Sequence, residues 1–180
     1  GCDWPAARLE SHETLKTQLV LDALRRVGRV AESELPPVRF VGSPRAYRLR
    51  SRLRWDGSGS LGFLGRASSR VADVTSCEVV TGALLARLPA LRRTLAAAAV
   101  PSCELQTLEG PEGAPLLGEL RFERPFSGAE KAAASLEGPL DGVRVVAAGR
   151  LAASRGPSAL ALEAGGTRFR VSVSSFFQAN

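Results

Sequence analysis

The chain has 180 residues, 44% of them hydrophobic, and its 24 Lys and Arg against 18 Asp and Glu give a formal charge of +6. That length and apolar share suit a globular domain that buries roughly 70% of its unfolded-chain surface, and they exclude a disordered polyelectrolyte. The longest purely apolar run, residues 95–100, falls far short of the ~20 residues that cross a bilayer, and no basic segment followed by an apolar one opens the sequence. Three widely spaced cysteines argue against a disulfide framework and for a reducing compartment, so the cytoplasm is the expected location. The positive charge favours a polyanionic partner over a membrane.

Taken in chain order, residues 13–27 read as an amphipathic helix. Leu15, Leu19, Val20, Ala23, Leu24 and Val27 recur at spacings of three and four, and Gly28 supplies the stop. Residues 35–45 hold three prolines and form a connector. Residues 47–55 alternate strictly, with Tyr47, Leu49, Ser51, Leu53 and Trp55 on one face and Arg48, Arg50, Arg52 and Arg54 on the other, the pattern of a half-buried strand. A Gly- and Ser-rich loop, 56–60, leads to strands at 61–64 and 70–74. Residues 79–99 predict a helix that Pro89 kinks or divides, since an internal proline costs about 3 kcal/mol.

Further strands are expected at 103–108 and 115–123 around a turn at 109–114. A short helix follows at 127–136 with Ser127 as its cap, then strands at 143–148, 159–163 and 167–173, the last two joined through Gly165 and Gly166. No repeat of fixed period is present. The expected class is therefore α+β, a mainly antiparallel sheet with flanking helices. The chain lacks methionine, and it ends on a strand that runs into a capping box formed by Ser175 and Gln178. These features predict a middle piece of a longer protein.

Four alternating arginines, Arg48, Arg50, Arg52 and Arg54, put four guanidinium groups on one sheet face, with Arg45 upstream. Guanidinium forks match phosphate oxygens bidentately, and each neutralised phosphate releases counterions. The same pattern also suits the solvated outer face of an edge strand, where positive charge deters aggregation. His12, Cys2 and Cys77 do not complete a tetrahedral metal site by themselves, and Cys103 sits in a strand pattern as a small core residue. No histidine is placed to activate a serine, and no Gly-rich phosphate cradle follows a strand. Residues alone thus predict a basic α+β domain with nucleic acid as its candidate partner.

Several segments together resemble the RNA (uracil-C5)-methyltransferase family. Gly1 and Cys2 resemble the end of its Cys-Gly-Gly-Cys motif, and 45–50 its Gly-Tyr-Arg-x-Arg strand. Leu61, Gly62 and Phe63, then Val71, Asp73 and Cys77, resemble its Gly-Phe hairpin and Val-Asp-x-x-x-Cys segment. Residues 175–180 resemble the Ser-Phe-x-Gln-x-Asn signature that opens its catalytic domain. Two positions depart from the family pattern: Pro5-Ala6 stands for Gln-His, and Val173-Ser174 for a Pro-Gly-like pair.

The resemblance implies an S-adenosylmethionine-dependent enzyme that forms 5-methyluridine in rRNA or tRNA. In that reading Gln178 contacts S-adenosylmethionine, Phe176 packs near the target base, and Cys2 and Cys77 are two of four ligands of a [4Fe-4S] cluster. Arg48, Arg50, Arg52 and Arg54 contact RNA. No catalytic residue lies in the chain, because the thiolate that attacks C6 of a flipped uracil belongs to a Rossmann-like domain beyond Asn180. The implied organisation is a cluster-motif remnant and helix at 1–40, a central RNA-contacting domain at 41–172, and the opening of the methyltransferase domain at 173–180. The chain is expected to be inactive alone and monomeric. The alternative is a non-catalytic basic RNA-binding module.

Overall fold

A computed structural model describes residues 7–113 and 115–175. The chain forms two compact units, Gly1–Pro44 and Arg45–Asn180. In the first, a 3-10 turn at Leu9–Ser11 leads into α1 (His12–Arg26). The expected helix forms, and Arg25 closes its far end by donating from Nε and Nη2 to Glu32 at 2.6 Å each. No residue of α1 is buried, so the apolar stripe at Leu15, Leu19 and Val20 stays open.

The second unit holds a seven-stranded sheet of order β3-β2-β1-β4-β5-β6-β7. Its strands are β1 (Arg50–Trp55), β2 (Leu61–Leu64), β3 (Val71–Asp73), β4 (Cys103–Glu109), β5 (Leu116–Phe122), β6 (Gly142–Ala147) and β7 (Arg150–Arg155). α2 (Gly82–Ala97) joins β3 to β4, and α3 (Ala129–Ser135) joins β5 to β6. Every pairing is antiparallel except β5 with β6, whose parallel register needs the crossover that α3 supplies. A separate hairpin, β8 (Ala159–Ala164) and β9 (Thr167–Ser172), completes the unit. The mixed α+β class with a mainly antiparallel sheet is as the sequence predicts.

The alternation along each strand builds two cores. On one face Leu53, Trp55, Leu105, Leu120, Val143 and Val145 meet Leu84, Leu88, Leu91 and Leu95 of α2 and the alanines of α3. Each such leucine contributes about 1.5–3 kcal/mol through burial. Trp55 is enclosed there and donates from Nε1 to the Val100 carbonyl at 2.8 Å, which meets the requirement that a buried indole find an acceptor. On the other face Leu160, Leu162, Val171 and Val173 of the hairpin segment close over Leu108 and Leu117.

Four expectations are corrected. Of the kink or division expected at Pro89, the division does not occur and α2 is one helix: Pro89 lies on its exposed side, where water can serve the Leu85 carbonyl that loses its partner, and the leucine stripe is untouched. The residue at the start of α3 is Gly128 rather than Ser127, and no side chain caps that end. β7 was not foreseen, because its Arg-Leu-Ala-Ala-Ser-Arg sequence lacks β-branched residues and lies at a sheet edge, mostly exposed. It is held by the tight turn at Ala148 and Gly149, both at positive φ, as a two-residue hairpin loop demands. Finally, β1 begins at Arg50 and is an interior strand between β2 and β4, so deterring edge-to-edge pairing is not what its arginines do.

Candidate nucleic-acid interface

Register places the arginines of β1 in rungs that run across four strands. One rung reads Arg54, Glu104, Arg121; the next reads Arg52, Gln106, Glu119, Arg144; the third reads Arg50, Leu108, Leu117, Gly142. The two leucines of the third rung carry the hairpin, and the first two rungs, with Arg50 at the end of the third, hold the charge. A Cβ at Gly142 would stand 1.9 Å from the Pro157 carbonyl oxygen, so only glycine lets the chain cross there on its way to β8.

On this face of β1, β4, β5 and β6, five guanidinium groups meet two carboxylates. Glu104 faces Arg52 at 3.3 Å and Arg54 at 3.6 Å. Glu119 is wholly buried and accepts from Arg121 Nε at 2.6 Å, from Arg144 Nε at 2.9 Å and from Ser174 Oγ. Burial alone would raise the Glu119 pKa, but hydrogen bonds from Ser174, Arg144 and Arg121 outweigh it and hold the carboxyl below its ordinary range. Gln106 links Arg50 to the Glu104 system, accepting from Arg50 at 2.8 Å and donating to Glu104 at 2.7 Å.

The balance leaves cationic surface. The side chains of Arg52, Arg54, Arg121 and Arg144 remain 69%, 40%, 41% and 26% exposed. Arg52, Arg121 and Arg144 all meet their carboxylates through Nε. That leaves the Nη1–Nη2 edge, one of the two bidentate edges of a guanidinium, for a phosphate. Arg50 is more enclosed: burial, then the nearby Arg52 charge, lowers its pKa, and its Nη1 is buried without a hydrogen-bond partner among the described residues.

Of the four predicted arginines, the structure thus brings together Arg50, Arg52 and Arg54. Arg48 lies outside β1, in an isolated bridge to Val80 beside the start of α2. Arg121 and Arg144 were missed, as were Glu119, which holds both, and Glu104, which pairs with Arg52 and Arg54. They are one or two charged residues in otherwise ordinary strands, and only the pairing of β4, β5 and β6 beside β1 gathers them. Cys2, Phe176 and Gln178 lie outside the described residues, as does the second half of the expected Ser175–Gln178 capping box.

The family-like segment from β2 to Cys77 is structural glue in this unit. A Cβ at Gly62 would come within 1.9 Å of the Ala72 carbonyl oxygen, so the hairpin closes only on glycine. Asp73 accepts from the Leu61 N–H at 2.9 Å and from Arg92 Nε at 2.8 Å, which ties β3 to α2. Cys77 is half-buried against the main core, and Cys103 is buried, its thiol pushed up to about 12 by desolvation. Among the described residues no three His, Cys, Asp or Glu side chains group to hold a metal, so these residues do not by themselves fit a [4Fe-4S] cluster. No described helix is long and apolar enough to cross a membrane.

An α+β domain whose sheet presents a half-neutralised guanidinium face has the chemistry of a phosphate-backbone binder. Comparison with known proteins adds likenesses in sequence and in fold. No family model matches the chain. It is 35% identical over 96 residues to the 23S rRNA (uracil(1939)-C(5))-methyltransferase RlmD of Methylococcus capsulatus, covering 50% of this chain and 21% of that protein. It is 32% identical over 106 residues to the enzyme of the same name from Dechloromonas aromatica, covering 56% and 24%. An uncharacterized RNA methyltransferase of Corynebacterium efficiens is 31% identical over 80 residues, covering 44% and 19%.

The resemblance to RNA (uracil-C5)-methyltransferases therefore holds in sequence over about half of the chain, and the matched stretch spans about a fifth of the length of these relatives. Among solved structures, the Pyrococcus abyssi tRNA (uracil-54, C5)-methyltransferase in complex with S-adenosyl-L-homocysteine superposes with a TM-score of 0.57. It is 13% identical, covering 77% of this chain and 38% of that one, a likeness of fold alone.

Proposed function

We propose that this chain is the RNA-contacting part of an S-adenosylmethionine-dependent RNA (uracil-C5)-methyltransferase acting on rRNA or tRNA. The observation that carries the reading is the sheet face on which five arginines meet two glutamates, in a chain whose sequence relatives are enzymes of that name. Arg52, Arg54, Arg121 and Arg144 hold the phosphate backbone, with the more enclosed Arg50 and with Arg48 adding positive charge beside them. Phe176 packs near the target base and Gln178 contacts S-adenosylmethionine, at the opening of a Rossmann-like domain that supplies the nucleophilic cysteine and the base. Cys2 and Cys77 are two ligands of a [4Fe-4S] site completed by residues outside this chain.

The test compares methyl transfer from radiolabelled S-adenosylmethionine to bulk rRNA and tRNA by the 180-residue chain and by the protein extended through its following domain. The extended protein labels uridine C5, and the short chain binds RNA without labelling it. Label transferred by the short chain would contradict the division of labour. The second reading, a non-catalytic RNA-binding module, is favoured by the fact that the basic face is assembled wholly within Arg45–Asn180. It takes first place if the extended protein binds RNA and transfers nothing.

A further inference from the structure

Glu119 is an oddity on a surface built for anions. A carboxylate subtracts from a phosphate-attracting field, and a buried one is costly unless several donors meet it. Here three do, and two of them are arginines of the same charged face. Arg121 Nε takes Oε1 and Arg144 Nε takes Oε2, so one planar carboxylate holds two guanidinium groups by the same edge. The third donor, Ser174, lies on the segment that leaves the β8–β9 hairpin, where Ser172 and Ser175 lock the turn through a 2.6 Å hydroxyl contact. Without Glu119 both arginines would be long, freely rotating cations beside one another.

We infer that Glu119 is a positioning residue for RNA: it clamps Arg121 and Arg144 by Nε so that their Nη1–Nη2 edges are preset for adjacent phosphates. The inference rests on the RNA-binding reading above. It makes a prediction opposite in sign to simple electrostatics. If Glu119 only weakened the positive field, neutralising it would tighten RNA binding. If it positions the arginines, neutralising it loosens binding, because the amide nitrogen that E119Q introduces cannot accept from the second arginine.

The experiment measures binding of a fluorescently labelled single-stranded RNA to the full chain at low salt, with thermal melts as a check on folding. E119Q is expected to weaken binding by about fivefold, by loss of charge-assisted positioning. The Arg121→Lys variant, which keeps the charge but cannot hold Glu119 through one edge and phosphate through another, is expected to weaken binding comparably. It also decides the matter if E119Q does not fold. Equal or tighter binding by a folded E119Q, or unchanged binding by Arg121→Lys, overturns the inference. The Arg52→Ala, Arg54→Ala double variant separates the two levels. If wild type binds and this variant binds more weakly while E119Q and Arg121→Lys match wild type, only the positioning role falls; if wild type does not bind RNA, both readings fall.

Discussion

Replacing Arg52 and Arg54 together by alanine tests the basic face where it is most open. Both pair with Glu104 at more than 3.2 Å, both keep much of their surface in solvent, and neither is needed for the apolar packing on the far side of the sheet. The change removes two of five guanidinium groups and leaves Glu104 with Arg121 across the strand. With one phosphate for each of the four open arginines, Arg52, Arg54, Arg121 and Arg144, and about 0.7 counterions released per contact on single-stranded RNA, the wild-type slope of log K on log salt is about −2.8 and the variant's about −1.4. Raising salt from about 50 to about 200 mM then costs the wild type roughly fiftyfold in affinity and the variant roughly sevenfold. Fluorescence anisotropy across a salt series reads both slopes directly. Identical slopes, or a wild-type slope near zero, would refute the assignment of this face to phosphates, whatever the absolute affinity.

Three further outcomes follow from the packing. Thr81→Ala removes the N-cap of α2, whose Oγ1 accepts from the Leu84 N–H, and strips buried Glu109 of the hydroxyl it accepts from; the expected loss is about 2–3 kcal/mol by urea denaturation, while Thr81→Ser keeps the hydroxyl and loses little. Cys103, its thiol raised to about 12 by burial, should stay unmodified by iodoacetamide at about pH 8 until the chain is unfolded, which peptide mass spectrometry of native and urea-treated samples reads out. Glu119 has a folded pKa below its unfolded value near 4.3, so its contribution is complete above that pH and is lost as pH falls through the folded value. The stability gap between wild type and E119Q should therefore shrink from about pH 5 downward, and a gap that widens in acid would reverse the assigned sign.

The sequence displayed what repeats locally. Alternation at 47–55 identified a strand and its two faces, and the helix expected over 79–99 forms as α2, which buries Leu84, Leu88, Leu91 and Leu95. Pro89 suggested a break because a proline's cost can be read from the chain, whereas its placement on the exposed side cannot. β7 went unseen for the converse reason: Ala152 and Ala153 carry little strand signal, and the strand is defined by its ladder to β6. The site itself was half legible. Arg50, Arg52 and Arg54 announce a cationic face by repetition, but Glu104, Glu119, Arg121 and Arg144 become its members only through register, which a single strand does not encode.

A central strand with three arginines on one face would be self-repelling if its neighbours were neutral. Glu104, directly opposite Arg54 and also 3.3 Å from Arg52, relieves this, and Glu119 repeats the relief one strand further on. The same face changes character along the strands: at Leu108 and Leu117 it is apolar and covered by the hairpin, and one rung away it is charged and open. The hairpin thereby fixes where a polyanion can lie. It closes the Arg50 end of the face, draws Ser174 onto Glu119, and leaves the Arg52–Arg54–Arg121 end as the accessible ground. Local neutralisation and open positive charge are therefore two uses of one set of residues, since each carboxylate that makes the strand tolerable also holds by one edge the guanidinium groups that face outward.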